Sequence, residues 1–233
     1  SFSMNDEVFT VAVNHLKSKG SACNEDNEGA DGQGNCNQTR NRAAQALVQY
    51  LAIQPTGVNS SAQLVLGDLN AYSKEDPINT ILDAGFSNLK YSEKSTETQP
   101  YSYSFGGFLG SLDHALATAD FYAHVVSVDA WHINSVEDSL MDYETEATGQ
   151  DYDSIDNYAN ADAYRSSDHD PIVVALRIDK KAPEPDPENP DNGSDNGDNN
   201  NSGDSNDDDN NGGPLHPLTL LVLAMIAALR RRG

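Results

Sequence analysis

Apolar and polar positions follow two rhythms along this chain. Val8 to Leu16 is an apolar, β-branched run that ends in Asn14 and His15, the pattern of a buried strand. Lys17 to Gln38 is polar and glycine-rich, a long loop. From Thr39 to Ile53 the spacing turns helical: Ala43, Ala46, Leu47, Tyr50 and Leu51 share a face, and Pro55 follows the end. Ala62 to Leu66 is a short apolar strand leading into Gly67-Asp68-Leu69-Asn70-Ala71. Asp76-Pro77 opens a second helix through Ala84, with Asp76 as N-cap and Pro77 in the first helical position, and Gly85 ends it. Lys90 to Gln99 is polar loop. Strands are predicted at Tyr101 to Phe105, Leu112 to Thr118, Ala123 to Ile133 and Pro171 to Ile178, with Gly106-Gly107 as a turn. Asn134 to Tyr164 is acidic and Tyr-rich, a long surface excursion. Helices alternate with strands early and strands dominate late, which predicts a mixed α/β sandwich with helices covering sheet faces.

Residues 1–181 thus read as the folded domain and 182–211 as an acidic linker. Pro183 to Pro190 is a stiff spacer, and Asp191 to Asn211 is an Asp/Asn/Gly/Ser tract that cannot bury a core and is expected to be disordered. Residues 212–233 hold Gly212-Gly213-Pro214, an apolar stretch from Leu215 to Leu229, and Arg230-Arg231-Arg232. At about 1.5 Å per residue the apolar stretch falls short of a hydrocarbon core of roughly 30 Å, so it is marginal as a permanent span. The arginines would stay cytoplasmic. The arrangement resembles the GlyGly-type C-terminal sorting signal of Gram-negative secreted proteins. That resemblance implies a rhomboid-type sorting protease as partner and transient anchoring in the inner membrane. A plain tail anchor is the alternative, and both place the domain outside the cytoplasm, secreted or at the cell surface.

Charge narrows the choice of partners. The chain carries 37 acidic and 14 basic residues, a net charge of −23. Residues 1–179 alone hold 27 acidic and nine basic residues, so the domain is itself strongly acidic and the tail is not the whole cause. Such a surface repels polyanions at long range, which excludes a basic-patch nucleic-acid module; a nucleic-acid substrate would need divalent metal to bridge the repulsion. An acidic surface suited to salty or extracellular surroundings is the plainer explanation.

Two cysteines, Cys23 and Cys36, enclose a polar loop. A disulfide there would stabilise by roughly 3 kcal/mol in the chain-entropy picture and would favour an oxidising compartment. Two free thiols are the alternative. A finger-type zinc site is disfavoured, because no second ligand pair stands nearby. The loop also carries Glu25, Asp26, Glu28 and Asp31, but it lacks the calcium-loop ligand order and reads as solvated. No basic flank and apolar core of a signal peptide open the chain, so either the protein is cytosolic or an earlier segment precedes Ser1. The cysteines and tail favour the second.

Four polar clusters stand at predicted strand ends: Asn14-His15, Asp68-Leu69-Asn70, Asp113-His114 and Asp168-His169. Singly each is a hydrogen-bonded structural residue or an Asx turn. Four in succession, each beside an apolar run, suggest a site at the mouth of a sheet. Carboxylates hold divalent cations and imidazoles move protons near neutral pH.

Gly67-Asp68-Leu69-Asn70-Ala71 and Ser167-Asp168-His169-Asp170-Pro171 resemble two signature motifs of the deoxyribonuclease-I-like endonuclease/exonuclease/phosphatase superfamily. Val13-Asn14-His15-Leu16-Lys17-Ser18 resembles its histidine strand, and Ser111-Leu112-Asp113-His114-Ala115-Leu116 its late aspartate strand. With the tail and Trp131-His132-Ile133-Asn134, the likeness is greatest to large secreted nucleases of Gram-negative bacteria, over residues 8–178. It implies a four-layer α/β sandwich and hydrolysis of phosphodiesters, nucleic acid above all, with Mg²⁺ or Mn²⁺ and with Ca²⁺ as a further candidate. It implies Asp168, Asp68 and Asn70 around the metal. Asp68 would orient or deprotonate the attacking water, and Asn70 would hold that water or the phosphate. His169 would act as base or donate to phosphoryl oxygens, Asp113 would orient His169, and His15 would serve the leaving group.

The likeness is to the C-terminal portion of the family fold. The family's metal-binding Glu lies on an earlier strand, and only seven residues precede Val8. Residues 1–181 alone are therefore expected to be poorly folded or nearly inactive, and an oligomer is not expected. Competing readings are a lipid phosphodiesterase or nucleotidase of the same fold, and a non-catalytic calcium-binding surface module.

Overall fold

The computed structural model describes residues 1–23, 31–138 and 163–180. Its strands are β1 (Phe2–Met4), β2 (Glu7–His15), β3 (Gln63–Asp68), β4 (Ser87–Asn88), β5 (Tyr103–Phe105), β6 (Phe108–Gly110), β7 (Asp113–Ala117), β8 (Val125–Ala130) and β9 (Ile172–Leu176). Its helices are α1 (Asn37–Ala52), α2 (Asp76–Asp83) and α3 (Ala119–Tyr122). The fold is α/β. A five-stranded sheet runs β1-β2-β3-β7-β4, and two antiparallel pairs stand beside it, β5-β6 and β8-β9.

Both faces of the large sheet are covered, so its central strands read as continuous apolar runs rather than alternating ones. Leu64 and Leu66 on β3, with Ala115 and Ala117 on β7, point into one core with Val125, Val128 and Ala130 of β8 and Ile172, Val174 and Leu176 of β9. Val65 and Leu116, one residue out of phase, point the other way onto Ala44 and Leu51 of α1 and Ile78 and Ile81 of α2. A period of two sends successive side chains to opposite faces, which separates the two cores. The described residues thus supply three layers: helices, large sheet, small sheet. A register shift between Val125 and Ser127 lets β8 turn both Val125 and Val128 inward.

The predicted strands and both long helices are present, with shifted details. The buried stripe of α1 is Asn37, Arg40, Ala44 and Leu51, whereas Ala46 faces solvent and Tyr50 is exposed. Arg40 explains the difference: its guanidinium lies inside and donates to the carbonyls of Lys17, Asn35 and Gln33. It turns the helix so that the cysteine loop, not bulk solvent, covers its first turns. At α2 the N-cap is Glu75, one residue earlier than expected, and Pro77 falls in the second helical position. Cys23 and Cys36 form the expected disulfide, with Cα atoms 5.5 Å apart. Asp31 is occupied within the loop, accepting from Gln33 N and Asn37 Nδ2; Glu25, Asp26 and Glu28 lie outside the described residues. So do most of the Asn134–Tyr164 excursion and the linker, Gly-Gly step and apolar stretch 215–229. Among the described residues no helix is long and apolar enough to cross a membrane.

Candidate functional site

Strand register builds the site. β2 pairs in parallel with β3, placing His15 opposite Asp68, and β3 pairs antiparallel with β7, placing Asp68 opposite Asp113. Three chemistry-bearing residues therefore occupy one row across three neighbouring strands. Gly67, at φ 135°, bends the backbone just before Asp68 at the end of β3, a conformation glycine adopts without steric cost. Asn70 sits in the left-handed region at φ 47°, where asparagine is tolerated. Its backbone N–H donates to Asp68 Oδ1 at 2.8 Å, and its Nδ2 donates to Asp68 Oδ2 at 2.9 Å and to Leu16 O at 3.1 Å. Asn70 thereby orients the Asp68 carboxylate and ties it to the end of β2. His15 stands at the rim, its side chain 56% exposed, with Nε2 3.4 Å from Asp68 Oδ2.

The fourth residue arrives from far along the chain. Tyr103 forms an isolated antiparallel bridge with His169, and Asp170 N donates to Ser102 O at 2.8 Å. That contact brings His169 Nδ1 to 2.7 Å from Asp113 Oδ2, and Ser102 Oγ donates to the same oxygen at 2.7 Å. A carboxylate only accepts, so Nδ1 carries the proton and Nε2 is left for a substrate. Burial alone would lower the His169 pKa. The hydrogen bond and charge of Asp113, with the charges of Asp68 and Asp168, outweigh it and carry the group up to about 9. His169 is thus an imidazolium at neutral pH, a donor rather than a base. Asp68 moves the other way from its usual range, up to about 6, because it is buried and faces the charge of Asp113.

The expected residues His15, Asp68, Asn70, Asp113 and His169 meet in one place. Asp168 is exposed, one residue before His169, and its carboxylate accepts no hydrogen bond among the described residues. The groups whose ligand atoms lie within 4.8 Å of one another are Asp68, Asp113 and His169, so Asp113 joins the cluster where Asp168 was expected. Two carboxylates pressed together suit a hard divalent cation, which would relieve the repulsion that lifts Asp68. His169 Nδ1 and Ser102 already occupy Asp113 Oδ2. Asp68 and the remaining oxygen of Asp113 are therefore the carboxylate oxygens within this cluster that could hold an ion.

Several supporting residues carry no sequence motif. Asp170 is buried, and its carboxylate accepts from His132 Nδ1 at 2.8 Å and from the backbone N–H groups of Asn134 and Ser135, both at 2.9 Å. Ser135 Oγ donates to it as well. Asn134 Nδ2 donates to His169 O at 2.7 Å, so the Trp131–Asn134 stretch clamps the loop that carries His169. Lys90 is fully buried behind β7, donating to Ser111 Oγ at 2.7 Å. Burial holds its ammonium down to about 8, against the pull of Glu97, Asp113 and Asp170. His114, expected beside Asp113, is structural: Nε2–H donates to Ala71 O at 2.8 Å, and burial drops its pKa to about 4, so it stays neutral and pins the Asp68–Ala71 turn. A separate hollow of about 420 Å³, lined by Glu7, Lys94 and Arg177 among others, opens at the opposite end of β2 and does not touch this site.

Comparison with known proteins bears on the assignment. No curated protein sequence matches the chain. Among solved structures, an endonuclease/exonuclease/phosphatase family protein from Bacteroides thetaiotaomicron is 16% identical, with a TM-score of 0.33, covering 41% of this chain and 34% of its own. The mannosyl-6-phosphatase of Bacteroides thetaiotaomicron VPI-5482 is also 16% identical, with a TM-score of 0.33 and coverages of 40% and 36%. The chain spans about a third of the length of each. Residues 5–169, which hold every residue of the cluster, match the Endonuclease/Exonuclease/phosphatase family, and the chain belongs to that family.

Proposed function

We propose that this chain carries the site of a metal-dependent phosphodiesterase acting on nucleic acid, exported from the cytoplasm. The observation that supports it most is the in-register row His15, Asp68 and Asp113 closed by His169 at 2.7 Å. Hydrolysis of a phosphodiester requires an aligned water and neutralisation of an anionic, loosely bonded transition state. A divalent cation held by Asp68 and Asp113 would supply that neutralisation and acidify water. Asp68 takes a proton from the water as the new P–O bond forms. The His169 imidazolium donates from Nε2 to a non-bridging phosphoryl oxygen. His15, exposed at the rim, gives a proton to the departing alkoxide as the old P–O bond breaks. Asp113 and Ser102 fix the His169 tautomer, and Asn70 fixes Asp68.

The exported, disulfide-compatible setting is supported by the Cys23–Cys36 bond. Release by a rhomboid-type protease at Gly212-Gly213, after transient anchoring in the inner membrane, completes the proposed itinerary. The test compares hydrolysis of plasmid DNA, bis-p-nitrophenyl phosphate and p-nitrophenyl phosphate with Mg²⁺ or Mn²⁺, with and without EDTA. Diester hydrolysis that EDTA stops, and that Asp68→Ala and His169→Ala each reduce by about 100-fold, is expected once the chain is joined to the earlier family strand that carries the metal-binding Glu, with little or none from residues 1–181 alone. EDTA-resistant activity, or variants as active as the parent, defeats the assignment; monoester turnover alone turns it into a phosphatase.

A further inference from the structure

The hairpin of β5 and β6 presents apolar rings to solvent right beside the candidate site. Phe105 is 70% exposed and Phe108 81%, with Gly106 and Gly107 between them, both at positive φ. Core physics does not explain these rings, for neither packs into either core. Their placement does carry information. The His169 ring lies 4.6 Å from Tyr103, tilted by 34°, and Tyr103 lies 6.4 Å from Phe105, near parallel at 13°. Three rings therefore step outward from the candidate catalytic imidazole to the tip. Tyr72 adds a fourth at the mouth: its ring lies so close over Gly110 that a Cβ there would clash with Tyr72 Cε1.

We propose that this hairpin is a stacking platform for unpaired nucleobases, and that the site takes single-stranded rather than paired nucleic acid. Two arguments choose the occupant. A phosphodiester seated at His169 places the organic groups on either side of the phosphate toward Tyr103 and Phe105, and the near-parallel pair of Tyr103 and Phe105 rings fits flat bases. The chain also has a net charge of −23, so its own side chains offer little phosphate neutralisation along a strand, and a handle without charge is needed beyond the scissile phosphate. Base–aromatic stacking is such a handle; it is tolerant of sequence, because every base has a π-face, and it is closed to bases already paired. The inference uses the phosphodiesterase reading only to place a phosphate beside His169.

Binding separates the two claims from each other. The full chain, in EDTA so that nothing is cut, is titrated into single-stranded oligonucleotide carrying 2-aminopurine, into the matching duplex, and into vesicles of neutral phosphatidylcholine. Quenching of 2-aminopurine, preference for the single strand, and affinity that does not fall as NaCl rises are expected. Phe105→Ala and Phe108→Ala should each weaken that binding about tenfold, whereas Tyr50→Ala, an exposed ring on α1, should not. Circular dichroism establishes that the variants are folded. Unchanged binding in the Phe variants, equal affinity for duplex, or a steep fall with salt overturns the proposal, and vesicle binding lost in the same variants replaces it with a membrane contact. Metal-dependent cleavage together with unaffected Phe variants sinks the platform and leaves the hydrolase, and quenching without any phosphodiester hydrolysis does the reverse.

Discussion

The chemistry of single residues here is set by who faces whom. His169 gains its charge from Asp113, so the pair titrates as a structural element as well as a catalytic one. The folded pKa, about 9, lies above the ordinary 6.5, so the folded state binds this proton more tightly than the unfolded chain. The resulting stability is fully present below pH 6.5 and is lost as pH rises through about 9. Lys90 acts with the opposite sign: its folded value, about 8, lies below 10.5, so the native state gains stability as pH climbs from about 8 through 10.5. Urea midpoints measured between pH 6 and 10 should fall and then partly recover. His169→Gln should remove the fall, and Lys90→Met the recovery. Asp113→Asn keeps the shape of the pair and removes its charge. The His169 titration followed by NMR should then move down, and diester hydrolysis should drop about 100-fold. Asp170→Ala would strand two buried N–H donors of Asn134 and Ser135 beside the same loop, at a cost of roughly 3 kcal/mol read from denaturant unfolding.

Whole elements show which information is local and which is not. β2, β3, β7 and β9 were readable because a strand buried on both faces, or packed on a core, needs an unbroken apolar run. The phase of α1 was not readable: Arg40 counts as polar in any periodicity, yet it is buried and its three carbonyl partners lie up to 23 residues away. Arg40→Met should therefore loosen the 17–36 loop, costing about 3 kcal/mol and appearing as faster proteolysis there. β6 escaped notice because Phe108 and Leu109 are exposed and carry no alternation. The site divides the same way. Asp68, Asn70, Asp113 and His169 lie at or beside the ends of legible strands, within the motifs that carry the family resemblance; strand register and the Tyr103–His169 bridge bring them together. Ser102, Lys90 and His132 act through contacts across 11, 21 and 38 residues, and no short pattern announces them.

At the scale of the molecule the excess of negative charge sets both stability and the way a metal must be sought. Self-repulsion at a net charge of −23 destabilises the compact state, and salt screens it over a Debye length of about 10 Å at 0.1 M. Lys19 Nζ pairs with Glu75 at 2.6 Å, but with 37 acidic against 14 basic residues repulsion outweighs such attraction for salt to act on. Raising NaCl from low concentration should raise the melting temperature, and any divalent cation will do so through ionic strength alone. A bound ion is recognised by the excess. Asp68 is lifted to about 6 by burial and by the charge of Asp113, and a cation seated there removes that penalty in the folded state but not in the unfolded chain. Mg²⁺ or Mn²⁺ at millimolar level should therefore stabilise the chain beyond NaCl of equal ionic strength. Asp68→Ala should abolish that excess and leave the NaCl response intact. Equal melting curves in the two salts for the parent chain would mean that the clustered carboxylates hold no cation and that the charge is only a surface property.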